Sequence, residues 1–523
     1  MTNDRSHGMD HLVVVLFENR SLDNLLGHLY GPQDGKVFEG VIGRNLSNPI
    51  PDWAEHGADR GTVPYAVATN MDSPNPDSGE EYPHTNTQLF NVVDDHNRCK
   101  AGGDIQAPWN APAPGRAPSM DGFVTDYIST FTAEMGRQPT YEEYSQIMTG
   151  FTPEQVPVLN GLARGFGVFD HWFCEVPSQT FMNRSFWTAG TSSGLTVNTP
   201  ATKFLTNNDA ETIFNRLEDH GRTWKIYVSE PMQISFTGLI HFQRLRDRFA
   251  TRIVPFSEFE VDAANGALPD LSFIEPCLTV GHNDYHPAFE RAMGHGVVIP
   301  SVDPPSSILG GEAFLSRIYD AYRNMRSAEG SNVWNTTLLI GWDEPGGTYD
   351  HVPPEPVPPP DPAARIGEMG FAFDRSGYRV PAVVVSPWVE PGSVYNEEYR
   401  HTSLLATLRE RWGLGGAFTA RDAAARSFSS VLVRDTPRDP DSWPAPEPRP
   451  VPAFAEDDVA LGHVLSVLGK TFLDGIRVYA AQHNITLEGL PEDAGEDIPP
   501  EQFVSALRSA AAAFFPLLAP RDR

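Results

Sequence analysis

At 523 residues, with 40% apolar and 20% charged residues, the chain is long enough for one large core or several small ones. Thirty-nine basic against 68 acidic residues leave a net charge of −29, which makes nucleic acid and anionic bilayers unfavourable partners. Three isolated cysteines (Cys99, Cys174, Cys277) exclude a disulfide framework, and no apolar run reaches the roughly 18 residues of a membrane span.

The first element in chain order is LVVVLF (12–17), an unalternating apolar run that reads as a fully buried parallel strand. It is too short for a signal-peptide core and meets Glu18 at once, so a cytoplasmic location is expected, with secretion of a processed form left open. The run breaks into Glu18, Asn19, Arg20, Ser21 and Asp23. Such groups cost free energy when buried unpaired, so they either reach solvent or face something bound. Residues 31–120 are polar and turn-rich, and read as long loops wrapping one edge of the core; loops of that length are uncommon in a compact domain unless functional.

Further short apolar runs follow at 167–173, 223–229, 336–342 and 380–386. Between them, 209–221 reads as a helix with Asp209 as N-cap and Gly221 as its stop, and 312–327 and 401–414 carry apolar faces at helical spacing. Strands alternating with helices predict an α/β fold with a doubly wound, mostly parallel sheet. The expected organisation is a catalytic domain over 1–443, a Pro-rich linker at 444–452, and a helical segment at 453–523 packed on the core.

A second strand ending resembles the first: TTLLIGW runs into Asp343-Glu344, then Gly346-Gly347, Asp350 and His351. In open α/β sheets ligands bind beyond the carboxyl ends of the strands. Glu18, Asn19, Asp343 and Glu344 would there form a set of hard oxygen ligands for a divalent cation, with Ca²⁺ or Mg²⁺ the first choice and nearby histidines admitting Zn²⁺ or Mn²⁺. Either acidic pair alone reads better as a turn or helix cap; the two together favour the cation. A third stretch, EVPSQTFMNRSFWTAGTSSG (175–194), is dense in hydroxyls around Asn183-Arg184. Those hydroxyls either satisfy loop backbone or supply a nucleophile, with Asn183 or Arg184 binding an anion. A fourth offers His282, His286 and His295 beside Asp284, as surface histidines, general acids or zinc ligands, and EEYPHTNTQ adds His84.

Taken in order, ENRSLDN, VPSQTFMNR, NDYHP, DEPGGTYDHV, YRVPAVVVSPW and YRHTSLLATL resemble the phosphoesterase family of bacterial phospholipases C and acid phosphatases, to which plant non-specific phospholipases C are similar. The resemblance spans about residues 10–415, and the pairing of the first motif with DEPGGTYDHV is its specific part. It implies an alkaline phosphatase-like α/β/α sandwich with long loop insertions. By position it implies Glu18, Asn19, Asp343 and Glu344 as metal ligands and Thr180 as the nucleophile, three residues before Asn183-Arg184. It also implies His84, His286 and His351 near the phosphate. The chain departs from the family at Leu22 and Asn24 (usually Phe and His), at Met182 (often Pro) and at Pro345 (often His or Asn).

The implied activity is metal-dependent hydrolysis of a small-molecule or lipid phosphate ester through a phosphothreonine. The charge ranks soluble esters or dispersed lipids above intact anionic membranes. The alternatives are a sulfatase or phosphonate hydrolase of the same superfamily, or an inactive binding protein that keeps the fold. A formylglycine sulfatase requires a Cys- or Ser-x-Pro/Ala-x-Arg signature, and 178–184 contains none.

Overall fold

The first apolar run becomes β1 (His11–Phe17), in which every residue after His11 is buried. A strand covered on both faces needs no alternation, which is why its sequence is a continuous hydrophobic stretch. In this computed structural model the described residues are 4–451, apart from 201, 231–234, 279–281, 288–290, 294–296, 300–306 and 362–365. The helices expected over 453–523, and His295, lie outside them.

The central sheet has eight strands: β1, β2 (Gly167–Phe169), β3 (Trp224–Val228), β4 (Ile253–Pro255), β5 (Leu271–Glu275), β6 (Thr336–Trp342), β7 (Ala382–Val385) and β8 (Ser393–Tyr395). Their spatial order is β8-β2-β7-β6-β1-β5-β3-β4. Every neighbouring pair is parallel except the two that involve β7, which runs against both β6 and β2. The mostly parallel sheet expected from the sequence is therefore present. β1 lies between β6 and β5, in register with β6 from His11↔Thr336 to Phe17↔Trp342, so Glu18 and Asp343 leave the sheet side by side.

The helices that matter for the site are α1 (Leu22–Leu26), α2 (Tyr82–Phe90), α3 (Phe123–Met135), α4 (Pro157–Gly165), α5 (Thr180–Ala189), α6 (Ile213–Asp219), α7 (Ser307–Arg323) and α8 (Thr402–Trp412). Adjacent strand residues point to opposite faces, and β6 shows what covers each. A Cβ on Gly341 would lie 3.0 Å from the Trp187 ring of α5. Trp342 packs at a tilt on Phe17, whose ring meets Phe314 of α7 edge-on. Helices thus cover both faces of the sheet.

Two differences from expectation have simple causes. α6 begins at Ile213, because the Thr212 side chain accepts the Asn215 amide and closes a capping box, while Asp209 stays outside the helix. The stretch read as loops contains α2, all nine of whose residues are buried, so no amphipathic period marks it. α2 and α3 build a second apolar cluster with Tyr349 and Tyr378 that walls the carboxyl end of the sheet.

Candidate active site

Each proposed ligand-bearing pair sits just past a strand. The Asp343 amide donates to the Phe17 carbonyl, continuing the β1–β6 ladder by one residue, and the Glu18 amide donates to the loop carbonyl of Asp284, which together fix where the acids emerge. Asn19 then adopts φ +53, a left-handed conformation that Asn tolerates better than most residues. Gly346 comes so close that a Cβ there would stand 2.5 Å from Asn19 Cβ, at a φ of +59. That approach explains why the second motif needs glycine after its acids.

α5 brings the hydroxyl. Thr180 is its first residue, and Thr180 Oγ1 lies 3.3 Å from Glu18 Oε2. The competing hydroxyls face away: Ser178 donates to the Thr196 carbonyl and Ser185 to the Thr191 carbonyl, each at 2.6 Å. Asn183 is consumed by the loop that precedes the helix. Its Oδ1 accepts the Glu175 and Val176 amides, and its Nδ2 reaches the carbonyls of Val176, Ser178 and Gln179. It therefore positions the Thr180 loop.

Arg184, one turn further on, is fully buried beneath the acids. Its Nε lies 2.9 Å from Glu18 Oε1 and 3.2 Å from Asp343 Oδ2, and its Nη1 is 3.9 Å from Glu275. Burial works against its charge, but Glu18 first, then Asp343 and Glu275, raise its pKa above the ordinary arginine value. Replacing Arg184 by Met should cost about 3–5 kcal/mol, the scale of stranding buried charges. Urea unfolding of chelated protein measures this, and a loss under about 1 kcal/mol would contradict the assignment.

Asn19 Nδ2 donates to Glu80 Oε2 and stands 3.0 Å from His286 Nε2. His286 Nδ1 lies 2.8 Å from the Pro287 carbonyl, an acceptor, so the proton belongs on Nδ1 and Nε2 accepts from Asn19. Burial lowers the His286 pKa, in keeping with a neutral ring. Both donors of the Asn19 amide are thereby committed, and Asn19 Oδ1 is buried with no hydrogen-bond partner among the described residues. Glu344 Oε1 is in the same state.

The acids repel one another. Burial, then Glu18, pushes Asp343 well above the usual carboxylate range, and burial, then Glu80 and Asp343, does the same to Glu344. Glu80 is pushed up to about 8 by burial, Asp77 and Glu81. A cation fits this set: Glu18, Asp343, Glu344 and Glu80 crowd together, Arg184 pairs with only the first two of them, and two oxygen atoms stand unpartnered among the described residues.

Glu80 and Glu275 were not singled out from the sequence. Glu275 carried the same signal as Glu18 and Asp343, since the run LSFIE also ends in an acid at a strand's carboxyl end. Glu80 lies in a polar loop, with nothing local to mark it.

Each of the other two histidines is paired with a carboxylate through Nδ1. His84 Nδ1 lies 2.8 Å from Asp126 Oδ1, and its Nε2 is 3.7 Å from Glu81. Burial opposes its charge, but Asp126 and Glu81 hold its pKa up at about 9. His351 Nδ1 is 2.6 Å from Asp23 Oδ2 on α1. Asp23, Asp350 and His351 are close enough together to hold an ion. Arg379 already fills that position, with Nη2 2.9 Å from Asp23 Oδ1 and Nε 2.9 Å from Asp350 Oδ1. The departure at Asn24 falls in the adjoining packing, where Asn24 accepts from Arg20 and donates to the Thr149 carbonyl.

A hydroxyl at a helix start thus stands against carboxylates at two strand ends. The profile of the phosphoesterase family matches residues 9–415, so the chain belongs to that family, whose members act on phosphoric ester bonds. It is 29% identical over 521 residues to non-specific phospholipase C6 of Arabidopsis thaliana, which covers 96% of this chain and 86% of that protein. It is 25% identical over 483 residues to phospholipase C B of Mycobacterium tuberculosis, covering 84% and 81%. Among solved structures, a protein of the alkaline phosphatase superfamily from Vibrio parahaemolyticus aligns over 61% of this chain and 68% of its own, at 11% identity and a TM-score of 0.30. Among the described residues no helix is long and apolar enough to cross a membrane.

Proposed function

We propose that the protein is a metal-dependent phosphoesterase of the phospholipase C type, hydrolysing lipid phosphate esters through a covalent phosphothreonine at Thr180. The observation that carries this reading is the Thr180 hydroxyl held 3.3 Å from Glu18, beside Asp343 and the unpartnered oxygens of Asn19 and Glu344. The relatives named phospholipase C support a lipid ester as substrate.

Phosphoryl transfer depends mainly on positioning and charge neutralisation, because the ester's anionic oxygens repel nucleophiles. Glu18, Asn19, Asp343 and Glu344 would hold a divalent cation, which would acidify the Thr180 hydroxyl and neutralise the phosphoryl oxygens. Glu18 Oε2 is the nearest base to the Thr180 hydroxyl proton. α5 begins at Thr180 and turns its amide-rich end, with its partial positive charge, toward the ester. Attack by Oγ1 forms the Thr–O–P bond as the bond from phosphorus to the leaving oxygen breaks. His286, neutral with its proton on Nδ1, orients the Asn19 amide through Nε2, and the leaving oxygen takes its proton from solvent. Water then attacks phosphorus and releases the Thr180 hydroxyl. Asn183 and Arg184 act from behind, one on the loop and the other on the acids.

Assays of phospholipid, phosphorylcholine ester and phosphomonoester hydrolysis, with and without chelator, test the reading. Lipid ester turnover that chelation abolishes and a divalent cation restores is expected. Full activity after thorough chelation would contradict the metal, and sulfate ester turnover alone would contradict the reaction class.

A further inference from the structure

The carboxyl end of β2 carries a group that the Thr180 site does not use. β2 runs into Asp170-His171, and Asp170 Oδ1 lies 2.9 Å from His171 Nδ1. Asp170 Oδ2 accepts the Glu39 amide at 2.9 Å and Asn396 Nδ2 at 2.8 Å. His351 is anchored in the same manner, its Nδ1 and its backbone amide both on Asp23 Oδ2. A carboxylate on Nδ1 places the ring proton there and leaves the lone pair on Nε2, the orientation in which imidazoles bind metals.

Both Nε2 atoms face one side chain. His351 Nε2 is 3.7 Å from Glu39 Oε1, and His171 Nε2 is 3.8 Å from Glu39 Oε2. These separations are too long for hydrogen bonds. The His351 side chain is only 8% exposed, and its Nε2 is buried without a hydrogen-bond partner among the described residues. A buried acceptor left unsatisfied is costly, and native structures seldom keep one without a reason. Glu39 itself is fixed at both ends of its backbone, by Asp170 at the amide and by Arg379 Nη1 at the carbonyl.

We propose that His171, His351 and Glu39 form a second divalent-metal site, for an imidazole-preferring ion such as Zn²⁺, separate from the oxygen-rich site beyond β1 and β6. Metal–ligand distances of about 2.0–2.2 Å put two donors on a tetrahedral ion roughly 3.3–3.5 Å apart. Each histidine's gap to its own Glu39 oxygen exceeds this by a few tenths of an ångström, and the three donors do not yet converge on one point. Each imidazole stands over its own oxygen of Glu39, so binding draws the partly exposed His171 inward until both rings meet one ion. The competitor is Arg44, whose Nη2 lies 2.6 Å from Glu39 Oε1 at the surface. Such exposed pairs are weak, and the ion displaces it. Two neutral imidazoles and one carboxylate suit a borderline divalent metal better than Ca²⁺ or Mg²⁺, and the protein's overall charge of −29 attracts any cation.

Calorimetric titration of the tag-free, chelator-stripped full chain with Zn²⁺ alone tests this. The wild type should bind one more ion than His171→Ala or Glu39→Gln, both altered at partly exposed side chains. Arg44→Ala supplies an arm that no folding defect imitates: by freeing Glu39 it should tighten the additional Zn²⁺ by about twofold to fivefold, the scale of an exposed ion pair. Equal stoichiometry and affinity in the wild type, His171→Ala and Glu39→Gln would overturn the site, as would an Arg44→Ala variant that binds no more tightly.

Discussion

Thr180→Ala should lose at least about 10³ in the rate of ester hydrolysis, the scale on which a covalent nucleophile is missed. The protein should still fold and still bind its divalent cation. The expectation rests on orientation as much as on motif position. Of the three hydroxyls within eight residues, Ser178 and Ser185 are spent on backbone carbonyls, and Thr180 faces Glu18. Ser and Thr hydroxyls are equally feeble nucleophiles without activation, so Thr180→Ser should retain measurable turnover. Ser178→Ala and Ser185→Ala should change the rate little, because neither hydroxyl points to the acids. Steady-state assays of the four variants decide the matter. Normal turnover by Thr180→Ala would remove the nucleophile from the account.

Asp343→Ala and Glu18→Ala should each abolish both turnover and tight binding of the divalent cation. Each removes a carboxylate from a set in which burial, then mutual repulsion, raises Asp343 and Glu344. The two substitutions differ in what they leave behind. Without Asp343, Arg184 keeps Glu18 at 2.9 Å and the fold should persist. Without Glu18, Thr180 loses the acceptor of its hydroxyl as well. Calorimetry with Mg²⁺ or Ca²⁺ separates binding from catalysis. Tight binding retained in both variants would show that the cation is held elsewhere.

The two strand ends were legible because a fully buried strand that turns abruptly acidic has few explanations, and their pairing in register follows once both strands join one sheet. The same signal at Glu275 is weaker, since LSFIE is shorter than β1 and β6 and ends in a single acid. Glu80 was invisible for a different reason. It reaches Asn19 across 61 residues of chain from a loop with no period of its own. That β7 runs antiparallel could not be read from VPAVVVS, because a strand buried on both faces has the same composition in either direction. His286 reaches Asn19, whereas His84 and His351, drawn from equally suggestive stretches, are turned to Asp126 and Asp23.

The central claim is a covalent phosphothreonine on α5, and trapping it is the most direct measurement. Enzyme mixed with a labelled phosphate ester, quenched in acid within the first turnovers and digested, should carry the label on the peptide containing Thr180. The Thr180→Ala variant should carry none. Label on Ser178 or on a histidine, or none in an enzyme that turns over the same ester, would contradict the account.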